Sequence, residues 1–268
     1  MKLLLSSGGV NGIAHFGVLE HVKKTFDEFH GVSIGALFAM LLSAGYILEE
    51  IRELVLTARL EDFFVLDPMR VLSVLTSSSS SGSSSSGSAS LGLDTGALLR
   101  EKLRDLLFKK GKRTFDDLPN LYVYAVNLRT RKLVKFCKEN PCDLVDALMA
   151  SMCLPPLFEP VSIGGDLYVD GAVIDGFPQQ ILEEDDVGIY LRKKGYNSLL
   201  SYLFYILDIR ETEKEEQLSK MPNVIIVDCV GSPIQDLSKV RRELIEAGNA
   251  AGKRWISERL SSEWSLNK

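Results

Sequence analysis

Residues 31–35 read Gly31-Val32-Ser33-Ile34-Gly35, and a serine held between glycines at this spacing is a candidate nucleophile. The apolar residues before it suit a strand, and Ile34 to Ala44 after it is apolar on nearly all sides, as a buried helix must be. The serine therefore falls on a strand-to-helix turn. Glycines permit the cramped turn that lifts a hydroxyl above a sheet, and the helix opening at Ile34 would aim its amide end at the same spot, where negative charge is stabilised. The five residues alone fit a tight turn without chemistry equally well, so both readings stand at this point.

A serine hydroxyl needs a base. The three histidines, His15, His21 and His30, all precede Ser33, whereas the α/β-hydrolase order places the histidine after the nucleophile. His15 and His21 fall on the first expected helix and His30 on the strand leading to Ser33, positions that suit structural roles. A buried carboxylate whose pKa is raised by desolvation is the other route to activation. A second glycine-rich segment, Gly8-Gly9-Val10-Asn11-Gly12, follows the first expected strand, Lys2 to Ser6, and precedes a helix. Its backbone amides could form an oxyanion hole, with a plain β–α turn as the alternative. Neither G-x-x-x-x-G-K-[ST] nor G-x-G-x-x-G is present, which argues against a nucleotide loop.

The elements that would position these residues alternate strand and helix through the first 60 positions, the signature of an α/β fold with a parallel sheet. Phe16, Leu19, Val22 and Phe26 predict a first helix, and a further helix is expected over Glu49 to Arg59. Asp94 is expected to start a helix running to about Lys110. Two hairpins follow, over residues 121–136 and 161–169, with a helix from Asp143 to Met152 between them. Strands at Val187 to Leu191 and Val224 to Val227, a helical stretch at Leu199 to Leu207, and a last helix through Val240, Leu244, Ala247, Ala251 and Trp255 complete the pattern. Residues 77–90 hold eleven serines and two glycines in fourteen positions, so they offer a core nothing and read as a flexible linker. That regularity suggests an engineered replacement of a native loop, with a natural low-complexity loop as the alternative.

Composition bounds the function. The 268 residues are 46% hydrophobic and 25% charged with a formal net charge of −5 and no long basic run, so no nucleic-acid footprint is expected. Cys137, Cys142, Cys153 and Cys229 form no C-x-x-C pair, which points away from zinc or a disulfide framework and toward a reducing, cytoplasmic setting. No run of about 20 uncharged apolar residues suggests a bilayer span.

Taken together, Gly8-Gly9-x-x-Gly12 with Ile13 to Leu19, then Gly31 to Gly35, then Ala150-Ser151-x-x-Leu154-Pro155, then Asp170-Gly171-Ala172 with Gly176-Phe177-Pro178, resemble the patatin-like phospholipase family over residues 2 to 180. The resemblance implies a three-layer α/β/α fold with a mostly parallel sheet, here as one domain over 1–268. It implies Ser33 as nucleophile, Asp170 as its base, and the amides of Gly8, Gly9 and Val10 as oxyanion hole, with Asn11, Gly12, Gly31, Gly35 and Gly171 supporting the motifs and no cofactor. Read by itself, Asp170 before Gly171 is equally a turn former. The implied activity is phospholipase A-type cleavage of fatty-acyl esters at a peripheral membrane surface. A weakly active lipid-binding scaffold and a generic soluble carboxylesterase are the alternatives. Phe63 to Leu75 is a candidate interfacial edge, and Arg129, Arg131, Lys132 and Lys135 are candidate headgroup contacts or a solvated charged face. Two positions depart from the family pattern: Ser7 stands at the first glycine of the loop and Asn11 at its usual basic residue. Nothing in the sequence sets the oligomeric state.

Overall fold

The computed structural model describes residues 1–59, 92–195, 212–230 and 237–266. The Phe63 to Leu75 segment, the 77–90 tract and the Leu199 to Leu207 stretch lie outside the described residues.

Among the described residues eight strands form one sheet: β1 (Lys2–Leu5), β2 (Glu28–Val32), β3 (Leu121–Asn127), β4 (Lys132–Phe136), β5 (Val161–Ile163), β6 (Asp166–Asp170), β7 (Val187–Lys194) and β8 (Val224–Val230). The order is β5-β6-β3-β2-β1-β7-β8, with β4 also on β3. The β2–β3, β1–β2, β1–β7 and β7–β8 pairs are parallel, and β3–β4, β3–β6 and β5–β6 are antiparallel. The helices are α1 (Ile13–Leu19), α2 (Ile34–Ser43), α3 (Leu48–Thr57), α4 (Ala97–Lys109), α5 (Leu144–Met152), α6 (Thr212–Leu218) and α7 (Leu237–Leu266). This is the expected mixed, mostly parallel α/β sheet with flanking helices.

Side chains on a strand alternate between faces, and the two faces bury different partners. Leu3, Leu5, Val187, Ile189, Ile225 and Val227 join one large core with α1, α2, α3, α4, α5 and α7. The intervening Leu4, Tyr190 and Val224 form a smaller cluster with Phe177 and Leu218 of α6.

One register carries most of the functional weight. Leu121 to Tyr124 of β3 pair with β2, while Ala125 to Asn127 pair with β6. Residues Val123 to Asn127 pair at the same time with β4, which must take the opposite edge. Strands β2 and β6 therefore share one edge of β3 and meet end to end, Val32 opposite Tyr124 and Asp170 opposite Ala125. Neighbouring positions along a strand are about 3.3 Å apart, so the C-terminal ends of β2 and β6 are forced together.

Several boundaries differ from expectation for local reasons. Helix α1 stops at Leu19, with His21 and Val22 N–H groups closing onto Val18 O; Val22 is still buried, and Phe26 packs against the core from outside the helix. The spacing that suggested a longer helix came from chain that returns to the same core. Asp94 does not start α4: it bridges to Phe158, its Oδ1 accepts the Gly96 N–H at 2.6 Å, and left-handed Gly96 precedes the helix. Helix α3 ends at Thr57 rather than Arg59. Strands β7 and β8 each run three residues past the expected end, and Asp228 bonds Arg192 and Lys194 across that extension.

Helix α7 lies directly on α1. A Cβ at Gly17 would come within 2.3 Å of Ile245 O, and one at Gly248 within 2.2 Å of Ala14 O. Only glycine lets the two backbones meet. In an exposed helix Gly→Ala would gain about 1 kcal/mol from propensity. Here the overlap with backbone wins, and Gly17→Ala is expected to lower stability by about 1–3 kcal/mol in urea denaturation.

Candidate active site

Ser33 follows β2 directly with φ 57° and ψ −125°, a conformation that costs a non-glycine residue about 1–3 kcal/mol and is held only when its surroundings enforce it. The enforcement is visible. A Cβ at Gly35 would meet Leu5 O at 2.2 Å, and one at Gly31 would meet Gly35 O at 2.3 Å, so the start of α2 lies flat against β1 and β2. A Cβ at Gly12 would meet the Ile34 side chain at 2.2 Å, and one at Gly171 would meet the Val32 side chain at 2.7 Å and Tyr124 O at 2.9 Å. These glycines bring the loops at the strand ends into contact.

The Ser33 hydroxyl donates to Asp170 Oδ2 at 2.6 Å. Asp170 is 1% exposed and Ser33 8%. The second carboxyl oxygen, Oδ1, accepts the Ala172 N–H at 2.8 Å, and the Asp170 N–H donates to Cys153 O at 2.9 Å. Burial pushes the Asp170 carboxyl up to about 7, against the lowering pull of the Ser33 and Ala172 hydrogen bonds and of Lys193. A carboxyl poised near neutrality and bonded to a strained serine can exchange a proton with it.

Ser151 was not given a role by the sequence. Its Oγ accepts the Ser33 N–H at 2.9 Å and donates to Tyr124 O at 2.6 Å, with the side chain fully buried. It ties the turn to β3 from α5. The signal for it was its place in the Ala150-Ser151-x-x-Leu154-Pro155 block. Since the Ser33 amide is engaged there, an anion on a substrate must find its donors elsewhere.

The candidates from the sequence are Gly8 to Val10. Gly9–Gly12 form a 3₁₀ turn in which the Asn11 N–H bonds Gly8 O. The Gly9 and Val10 amides open that turn, where no carbonyl within it can satisfy them. Ser7, Gly8, Gly9 and Val10 line the same cavity as Ser33 and Asp170. Asn11 belongs to the turn but is not among the cavity-lining residues.

The histidines stand apart from this exchange. His15 is fully buried, and its Nε2 lies 3.0 Å from Ser6 O, an acceptor that requires the proton on that nitrogen. Burial pushes its pKa down to about 4. His21 bonds Asn249 Oδ1, and His30 bonds Tyr124 Oη and Glu28 while stacking on Tyr122.

The cavity has a volume of about 290 Å³ and runs from Ser33 and Asp170 between α2, α3 and α4. Its apolar lining includes Leu37, Phe38 and Leu41 of α2, Val55 of α3, and Leu99 and Leu106 of α4. A family model described as patatin-like phospholipase matches residues 3–182, a stretch that contains the glycine turn, the Ser33 elbow, Ser151 and Asp170. The chain belongs to the patatin-like phospholipase family. This patatin-like chain is 26% identical over 255 residues to a probable lipid hydrolase of invertebrate iridescent virus 6, covering 90% of the chain and 82% of that protein. It is 29% identical over 196 residues to the uncharacterized protein YqhO of Bacillus subtilis, covering 65% of the chain and 64% of that protein. Among solved structures it superposes on VipD of Legionella pneumophila with a TM-score of 0.57 at 13% identity, covering 96% of the chain and 66% of VipD. That likeness speaks for the fold.

Replacing Ser151 by Ala strands a buried N–H and a buried carbonyl. Each uncompensated group costs about 1–3 kcal/mol, so Ser151→Ala is expected to lower the unfolding free energy by at least that amount in urea titration.

Proposed function

We propose that this chain is a lipid acyl hydrolase of phospholipase A type, with Ser33 as nucleophile and Asp170 as general base. The 2.6 Å Ser33 Oγ to Asp170 Oδ2 hydrogen bond at the end of an apolar cavity carries the reading. Family membership supports hydrolysis of a lipid, and the cavity's hydrocarbon walls suit an acyl chain.

In this mechanism Oδ2 takes the Ser33 proton as Oγ attacks the acyl carbonyl. The Ala172 amide occupies Oδ1, so the incoming proton has one oxygen to go to, the one facing Ser33. Negative charge on the tetrahedral intermediate is met by the amides of Gly9 and Val10, with Gly8 setting the turn, and by the N-terminal end of α2. Asp170 then returns the proton to the leaving alcohol. Water, deprotonated by Asp170, attacks the acyl-serine ester; the fatty acid leaves and Ser33 regains its proton. No step calls for a metal or an organic cofactor.

Contact with lipid is peripheral in this reading. No helix among the described residues is long and apolar enough to cross a membrane. Leu56 and Leu98 stand exposed beside cavity-lining residues of α3 and α4 and suit an interfacial rim. On the β3–β4 hairpin Arg129 is tied to Asp166 through two hydrogen bonds and Lys135 lies over Tyr122, which leaves Arg131 and Lys132 as the candidates for headgroup contact there.

The test is labelling with a fluorophosphonate probe, which reports an activated serine. The unaltered chain is expected to label, and Ser33→Ala to abolish the signal. Asp170→Asn is expected to slow it by about 10²–10⁴-fold, the usual weight of a general base. Absence of labelling in the folded, unaltered chain would favour a lipid-binding scaffold. Hydrolysis confined to short soluble esters would favour a simple carboxylesterase.

The raised carboxyl adds a pH signature with opposite signs for rate and stability. Labelling should rise with pH around a midpoint near 7, as Asp170 becomes ionised. The folded chain holds that proton where an unfolded aspartate, with its usual value of 3.8, has released it. The stability it contributes is therefore present at acid pH and is lost as pH rises through about 7. In denaturation measured across that interval, Asp170→Asn should show a shallower decline than the unaltered chain.

A further inference from the structure

Two helices that lead away from Ser33 measure out the cavity. On α2 its lining residues are Ile34, Leu37, Phe38 and Leu41, and the lining stops there although the helix continues to Ser43. On α4 the lining runs from Leu99 to Leu106 although that helix continues to Lys109. The start of α4 lies on the side of the reacting groups: a Cβ at Gly96, the residue before it, would meet the cavity-lining Phe158 ring at 3.6 Å. Phe158 follows closely on α5, whose Ser151 holds the Ser33 N–H. The other ends of α2 and α4 meet at Tyr46. Its N–H donates to Leu41 O at 3.0 Å and its hydroxyl to Leu106 O at 2.7 Å, and its side chain is buried. Tyr46 is not among the cavity-lining residues, so it stands behind Leu41 and Leu106 and fixes the two as a floor.

A helix rises about 1.5 Å per residue, so Leu41 stands about 12 Å along the α2 axis from the nucleophile. The stretch of α4 from Leu99 to Leu106 gives about 10 Å on another wall, in agreement. An extended hydrocarbon chain advances about 1.25 Å per carbon, from single bonds of about 1.5 Å at near-tetrahedral angles. The depth beyond Ser33 therefore takes about ten carbons. We infer that Leu41 and Leu106 set the length of acyl chain the site accepts and make it selective for medium-chain acyl esters. The inference rests on the acyl hydrolase reading and narrows its substrate. Each methylene that exchanges water for the apolar wall strengthens binding by about fourfold. A methylene beyond the floor finds no wall to cover it, because packed side chains yield only at a cost.

The experiment titrates saturated fatty acids, from hexanoate to hexadecanoate, into the Ser33→Ala chain by calorimetry, each below its aggregation limit. Affinity is expected to climb about fourfold per added methylene and to break at about ten carbons, levelling or falling beyond. In the same background Leu41→Ala and Leu106→Ala should each move the break about two carbons longer, the reach of the side chain removed. Leu41→Phe should move it shorter. Leu37→Ala, one turn from Ser33, should weaken every chain that passes it and leave the break in place. Affinity that rises evenly through hexadecanoate overturns the inference, and that result needs no altered floor and so no variant at risk of unfolding. Absence of fatty-acid binding overturns it too, as does a break that stays fixed in folded Leu41 and Leu106 variants. Fluorophosphonate labelling of the unaltered chain is scored separately: if it fails while the break holds and moves as expected, the dyad reading falls and the length limit stands.

Discussion

Taking a carboxyl group out of water is unfavourable unless its oxygens find donors, and Asp170 finds two: the Ser33 hydroxyl on Oδ2 and the Ala172 amide on Oδ1. Neither donor is there by its own preference. Ser33 is held in a backbone conformation that unconstrained serine avoids, and Ala172 follows directly as the chain leaves β6. Both depend on β3, which pairs Tyr124 with the last residue of β2 and Ala125 with the last of β6. The same Tyr124 offers its carbonyl to Ser151, which secures the Ser33 amide. One strand edge thus sets the spacing, and α5 and the glycine contacts lock it.

Much of this was legible in the residues. The G-x-S-x-G between strand and apolar helix located the elbow, because the demand for small residues around a cramped turn is local and written in sequence. The lack of a histidine after Ser33 pointed to a carboxylate for the same kind of reason. The union of Ser33 with Asp170 across 137 positions was not local. It reached the sequence reading through the resemblance, since two strands sharing one edge of a third leave no periodicity in any of them. Ser151 was hidden for a related reason: a serine near the end of a helix ordinarily satisfies itself, and its partners here come from two distant strands.

The boundary differences share one lesson about hydrophobic spacing. Val22 and Phe26 reach the core with helical intervals although α1 has already ended, because chain returning along a core buries residues at intervals a helix would also produce. Asp94 looked like a helix cap and instead turns the chain ahead of Gly96 while bridging to Phe158 near the cavity wall. In each case tertiary contact overrode a pattern that was locally sound.

The contact between Gly17 and Gly248 links the glycine turn to the far end of the chain, because α1 grows directly out of that turn and α7 lies against it. During synthesis on the ribosome, α1 must wait for more than two hundred later residues before its covering helix is made. A nascent chain can therefore assemble the β2 elbow before the segment that clamps α1 exists. The glycine turn from which α1 grows therefore gains its full support only after α7 has been made.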